Sequence, residues 1–130
     1  MNYERLSIFV RELKALTKRY PSLPNDIKIA EQVIGTLYST QNNYDTATIR
    51  KNFFNSKRAA VITKSDSFEA VKMRLDCASL GNKNSMRVVF VFVKNNEEVT
   101  FIELFSKSDK DREDSERLQQ FIQAQSSATD

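Results

Sequence analysis

One stretch in the C-terminal half limits the possible folds more than any other part of the sequence. Residues 86–93 read MRVVFVFV, so every side chain except that of Arg87 is apolar. A strand that is apolar at consecutive positions must be covered on both faces, which is typical of a central strand. Asn95 and Asn96 then favour a turn, and residues 99–105 predict the second strand of a hairpin.

The segments around this hairpin predict a single α+β domain. Residues 68–77 alternate between apolar and polar side chains and predict another strand, with a short strand at 59–63 as a further candidate. Apolar residues recur at helical spacing from Ser7 up to Pro21, and again after it, which predicts a helical hairpin. We therefore expect an N-terminal helical hairpin packed on a twisted antiparallel sheet of three to four strands, followed by a C-terminal helix at 109–123.

Three other segments have weaker patterns. Residues 2–6 fit either a short opening strand or the first turn of a helix. Residues 39–58 have no clean period and predict a loop, with room for a helical turn at 48–54. We expect one domain over residues 1–124 and a flexible tail over residues 125–130.

The composition excludes several kinds of catalytic site. The chain of 130 residues has no histidine and a single cysteine, Cys77, so catalytic triads that need imidazole and the usual zinc sites are excluded. Acid–base catalysis would have to use Lys, Tyr, Asp, Glu or Cys, with Arg as a fixed charge. We expect no metal and no cofactor.

The same composition predicts where the chain works. One cysteine cannot form an intrachain disulfide, and the first residues lack the apolar core of a signal peptide. No apolar run approaches the ~20 residues that a membrane-spanning helix needs. The expectation is a cytoplasmic protein with no membrane partner.

Charge is unevenly distributed along the chain, although the formal net charge is only +3. Residues 50–94 carry ten basic and three acidic side chains, a balance of +7. Residues 95–130 carry four basic and nine acidic ones, a balance of −5. The middle of the chain is therefore the part that would attract a polyanion, although basic charge alone predicts only salt-sensitive, non-specific attraction to phosphates.

Three segments, in this order and spacing, resemble the RelE superfamily of toxins, which includes HigB-like members. FVRELKALTKRYPSLPNDI is similar to the family's helical hairpin, in which a basic amphipathic helix runs into a YPSL-type break. VKMRLDCASLGNKNSMRVVFVFV resembles its paired strands, and FIELFSKSDKDRED is similar to the branch whose last strand ends in a Lys-Ser-Asp/Glu turn. The resemblance covers about residues 5–122.

The resemblance implies the toxin component of a type II toxin–antitoxin system. The usual activity of the family is endoribonuclease cleavage of messenger RNA, often on the ribosome, and a cognate antitoxin protein neutralises it. A branch that resembles ParE has the same fold and acts on DNA gyrase instead. A third alternative is a binding module that keeps the scaffold and has lost catalysis. Likeness of fold cannot choose among these.

The resemblance also assigns candidate catalytic residues. Lys72 and Arg74 in VKMRL and Arg87 in SMRVVF match the basic strand residues that hold the scissile phosphate in the nuclease branch. The alternative for Lys72 and Arg74 is the solvated face of an amphipathic strand. Arg87 would either reach a phosphate-binding cleft or pair with a carboxylate, such as that of Asp76 or Glu103.

The C-terminal segment departs from the family, because nuclease members commonly place Arg, His or Tyr after the last strand. Here Lys107 or Lys110 would have to supply the acid, or both are solvated residues beside a helix that Asp109 caps. Phe53 and Phe54 lie between basic residues that could grip RNA by charge and stacking, or else the two rings anchor the segment to the core. The candidate RNA-binding residues are Arg50, Lys51, Lys57, Arg58, Lys83 and Lys110.

Overall fold

The computed structural model describes residues 1–38, 46–81 and 86–128, and within these it contains four helices and five strands. The strands are β1 (Asn2–Arg5), β2 (Ala59–Lys64), β3 (Phe68–Arg74), β4 (Met86–Val93) and β5 (Glu98–Ser106). The helices are α1 (Ser7–Thr17), α2 (Leu23–Tyr38), α3 (Thr46–Asn55) and α4 (Ser115–Ala128). None of the helices in these described ranges is long and apolar enough to cross a bilayer.

The strands form one mixed sheet in the order β1-β5-β4-β3-β2. The predicted α+β class is confirmed, but the prediction of an antiparallel sheet of three to four strands is wrong in both respects. The sheet has five strands, and β1 pairs with β5 in parallel, with Asn2 opposite Glu98. Four residues are too short to display a period-two pattern, which is why residues 2–6 could not be told from a helical turn.

Strand β4 lies at the centre of the sheet, and apolar side chains cover both of its faces, as the sequence predicts. On one face Phe90 belongs to a large core that includes Phe9 of α1 and Ile27 of α2. On the other face Val89 belongs to a smaller core that includes Leu118 of α4. We call these the large-core face and the small-core face.

Two predictions outside the sheet need correction. Residues 46–55 form helix α3 rather than a loop, because Ile49 and Phe53, one turn apart, pack against the large core with Phe54. The residues before them, 39–45, lie outside the described part of the chain.

The C-terminal helix begins at Ser115, later than its predicted start at 109. The carboxylate of Asp114, not that of Asp109, accepts a hydrogen bond from the amide of Arg117 at 3.0 Å, as an N-cap residue does. Helix α4 continues to Ala128, into the stretch expected as a tail.

Candidate anion-binding site

Three of the candidate catalytic residues extend from one face of the sheet. Along β3, Lys72 and Arg74 follow Ala70 at intervals of two, and along β4, Arg87 precedes Val89 by two. Ala70 and Val89 belong to the small core, and side chains two apart in a strand share a face, so all three cations lie on the small-core face. Leu118 of α4 packs on the same face.

These residues line a hollow of about 190 Å³, which we call the cationic hollow. Six of its lining residues are cationic and none is acidic. The lining consists of Lys57, Arg58, Ala59, Ala60, Lys72, Met73, Arg74, Arg87 and Lys107. The hollow therefore brings together residues in or next to β2, β3, β4 and β5, although these residues are up to fifty positions apart in sequence.

Strand register explains why the hollow exists. Arg74 and Arg87 are direct partners across the β3–β4 ladder, and Ala60 of β2 is the partner of Lys72. Because Ala60 carries only a methyl group, β2 leaves space where a larger side chain would fill it. Lys107 reaches the same place because it directly follows Ser106, the partner of Met86 at the start of β4.

Two carboxylates outside the lining partly neutralise the hollow. Asp76 accepts a hydrogen bond from Arg58 at 2.6 Å, and the carboxylate of Glu113 lies 3.0 Å from the ammonium of Lys72. Both carboxylates contact cations that line the hollow. A concave surface of one charge sign concentrates its field, so this arrangement favours binding of an anion such as a phosphate group.

Among the cations that line the hollow, Arg87 has a pKa that its surroundings lower. Burial lowers its pKa, and the positive charge of Arg74 across the ladder lowers it further. The guanidinium donates a hydrogen bond to the carbonyl of Met86 at 3.0 Å while it lines the hollow. Like charges placed directly opposite each other destabilise a sheet, so an anion bound between Arg74 and Arg87 would lessen the repulsion between these two cations.

Lys57 enters the hollow from a strained backbone. It joins α3 to β2 with a φ of 64°, in the left-handed region that L-residues other than glycine rarely adopt. Such conformations are found more often at functional sites than elsewhere, although here the residue also ends a helix.

Replacing Lys57 by glycine should therefore separate backbone strain from charge. We expect Lys57→Gly to be more stable to urea than Lys57→Ala by roughly 1 kcal/mol, because alanine keeps the cost of a positive φ. Both variants lose the same charge and should lose the same affinity for a polyanion. Equal stability of the two variants would show that the chain is unstrained at this position.

The remaining candidate residues lie elsewhere or have other partners. Arg50 forms an ion pair with the buried carboxylate of Glu69, with both oxygens 2.8 Å from Nη2, and does not line the hollow. Lys110 is paired with the buried carboxylate of Glu103. Lys51 is exposed on α3 and is not part of the lining, and Lys83 lies outside the described residues.

The sequence patterns missed Glu113 as a part of this site. It contacts Lys72 from 41 positions away, on the segment that joins β5 to α4. No period or motif links the two residues, and only the overall charge imbalance between residues 50–94 and 95–130 pointed to such pairing. Asp76 was considered only as a partner of Arg87.

The site can bind and stabilise negative charge, and it contains groups that can transfer protons. The guanidinium groups of Arg74 and Arg87 are suited to bind two oxygens of one phosphate, and lysine is a residue type that general acid–base catalysis can use. Among residues 1–38, 46–81 and 86–128 there is no group of three or more Cys, Asp or Glu side chains placed to hold a metal ion.

Comparison with protein-family models, curated proteins and solved structures gives no match to this chain. The resemblance to RelE-type toxins therefore rests on the three sequence segments alone. The cationic hollow is a separate observation, because it comes from the strand register and not from likeness to another protein.

Proposed function

We propose that this chain is a toxin of the RelE type, an endoribonuclease that binds the scissile phosphate of messenger RNA in the cationic hollow. The observation that carries the proposal is the convergence of Lys72, Arg74, Arg87 and Lys107 on one open space. Three of these positions match the family motif by sequence, and their common face follows independently from the pairing of β3 with β4.

The chemistry assigned to the hollow is attack of a ribose 2′-oxygen on the adjacent phosphorus. The new O–P bond forms as the bond to the 5′-oxygen breaks, which leaves a cyclic phosphate and a free 5′-hydroxyl. Arg74 and Arg87 would hold the phosphoryl oxygens and stabilise the charge of the transition state. A base must take the 2′-proton, and Lys107 is the better candidate to protonate the leaving oxygen, because Lys110 is paired with Glu103.

Expression in bacteria tests the proposal directly. The wild-type chain should arrest growth and fragment messenger RNA, whereas the double variant Lys72→Ala/Arg87→Ala should do neither. The matched control is Lys14→Ala/Lys28→Ala, which removes two exposed cations from α1 and α2 and should behave as wild type. Equal growth and equal message integrity for the wild type and the Lys72/Arg87 variant would refute the nuclease.

A catalytically inactive binding module is the second candidate. Two observations favour it: no Tyr or His follows β5, and Lys72 and Arg58 already contact carboxylates. If the chain is such a binding module, the wild type binds RNA or an antitoxin but is not toxic. Growth arrest with intact messages and damaged DNA would point instead to a gyrase-directed toxin.

We also propose a short antitoxin protein as a partner, binding an exposed edge or groove of the domain. Strand β2 is an edge strand of the sheet, and the side chain of Val61 on it is exposed. An edge strand offers unpaired backbone groups to an added strand. Because β2 also borders the cationic hollow, an antitoxin bound there would sit beside the site that it inhibits.

A further inference from the structure

The carboxylate of Glu113 lies against the cationic hollow in the manner of a bound anion. Its two oxygens are 3.0 and 3.4 Å from Nζ of Lys72, so both are within reach of the same ammonium group. The two side chains are largely shielded from water, at 30% exposure for Lys72 and 18% for Glu113. A phosphate presents two non-bridging oxygens to a cation in a similar way.

The position of Glu113 does not depend on Lys72 alone. The segment 107–114 is fastened to β5 on both sides of Glu113 through one buried carboxylate, that of Glu103. One oxygen of Glu103 accepts a hydrogen bond from the amide of Asp114 at 2.7 Å, and the other pairs with Lys110. Glu103 is only 1% exposed, so the anchor is firmly embedded in the sheet.

We propose that Glu113 is a built-in competitor for the anion site, so that an RNA phosphate must displace its carboxylate from Lys72 before the hollow is fully occupied. This inference rests on the proposed RNA-binding function and adds its regulation. In this state the carboxylate of Glu113 neutralises Lys72, the neighbour of Arg74 and Arg87 in the lining of the hollow. The chain is thereby held in a weakly binding state that an incoming polyanion has to open.

The charge state of Glu113 is consistent with this role. Burial raises its pKa, but the hydrogen bond from Lys72, a backbone hydrogen bond and the charges of Lys72 and Arg112 together lower the pKa below the usual value for a glutamate. Its carboxylate is therefore ionised at neutral pH and competes as an anion.

The test is RNA binding by Glu113→Gln, with a short fluorescent single-stranded RNA as the probe at fixed salt. Glutamine keeps the size of the side chain and removes the negative charge. We expect binding to tighten roughly 3- to 10-fold, because Lys72 no longer has to leave a carboxylate and one negative charge that repels RNA is removed. The control is Glu116→Gln, an exposed position on α4 with the same charge change, which should alter binding less than about 2-fold.

A double variant separates direct competition from a general effect of charge. If Glu113 acts through Lys72, then in a chain that already carries Lys72→Ala the gain from Glu113→Gln should fall to that of Glu116→Gln, less than about 2-fold. An equal gain with Glu116→Gln, or an undiminished gain without Lys72, would overturn the inference. So would weaker binding by Glu113→Gln, because Glu113 would then orient Lys72 for RNA.

The outcome is distinguishable from that of the nuclease proposal. Tighter binding by Glu113→Gln together with intact messages in the expression test would support the competitor and refute the nuclease. Message cleavage by the wild type without any change in binding by Glu113→Gln would support the nuclease and overturn the competitor. Thermal unfolding of each variant shows that the compared proteins are folded.

Discussion

Replacing both Arg74 and Arg87 by glutamine is expected to weaken binding of a short single-stranded RNA about 100-fold at low salt. The two guanidiniums face each other across the β3–β4 ladder and line the cationic hollow. A hydrogen bond to a charged group contributes roughly 1.5–3 kcal/mol, so losing two such contacts to one phosphate amounts to at least two factors of ten. Fluorescence anisotropy over a salt series measures the loss and should also give a shallower salt dependence.

The control for this experiment is Lys14→Gln/Lys28→Gln, which lowers the net charge equally at exposed sites on α1 and α2. It should change the affinity only a few-fold. Equal losses of affinity in the two double variants would mean that RNA responds to net charge and not to the hollow.

Replacing Arg50 by alanine should cost stability, not RNA affinity. Arg50 was a candidate RNA-binding residue by sequence, but its guanidinium pairs with both oxygens of Glu69 and lies over the rings of Tyr38 and Phe54. The side chain of Glu69 is 6% exposed, so Arg50→Ala leaves a buried carboxylate without its cation. The expected decrease in the free energy of unfolding is roughly 3 kcal/mol, at the lower end for breaking a buried pair because Arg50 itself is partly exposed.

Chemical denaturation of Arg50→Ala beside Lys51→Ala measures this effect. Lys51 is the adjacent residue on α3 and is exposed, so its loss should change stability by less than about 0.5 kcal/mol. Adding Glu69→Gln to Arg50→Ala should restore part of the lost stability, because the buried negative charge is removed as well. If Arg50→Ala were as stable as the wild type but bound RNA more weakly, Arg50 would be assigned to the RNA-binding surface instead.

The parts of the fold that could be predicted from sequence are those with a strong period. Seven of the eight residues of β4 are apolar, so this strand had to be covered on both faces. In the structure, α1 and α2 cover one face and α4 covers the other. Strand β1 was ambiguous because a four-residue edge strand has no readable pattern. Only a helical turn at 48–54 was predicted where α3 spans Thr46–Asn55, because the polar residues of this helix outnumber the three apolar ones that dock it.

The candidate site, like the fold, could be predicted from sequence only in part. Alternation along β3 and the continuous apolar run of β4 were enough to place Lys72, Arg74 and Arg87 on strands, and the strand register then brings them together. The partners of an ion pair come together only in the tertiary structure. No local sequence pattern therefore predicted the pairing of Lys72 with Glu113 or of Arg50 with Glu69. Sequence therefore overestimated how many of the basic residues contribute to one surface.

The pairing of β1 with β5 also has a consequence for synthesis of the chain on the ribosome. The first strand emerges early but finds its neighbour only when residues 98–101 have been made. The anion site likewise needs Lys107, so most of the chain must be translated before its cations assemble. An incomplete chain that stops before β5 has neither the finished sheet nor the full set of cations that line the hollow.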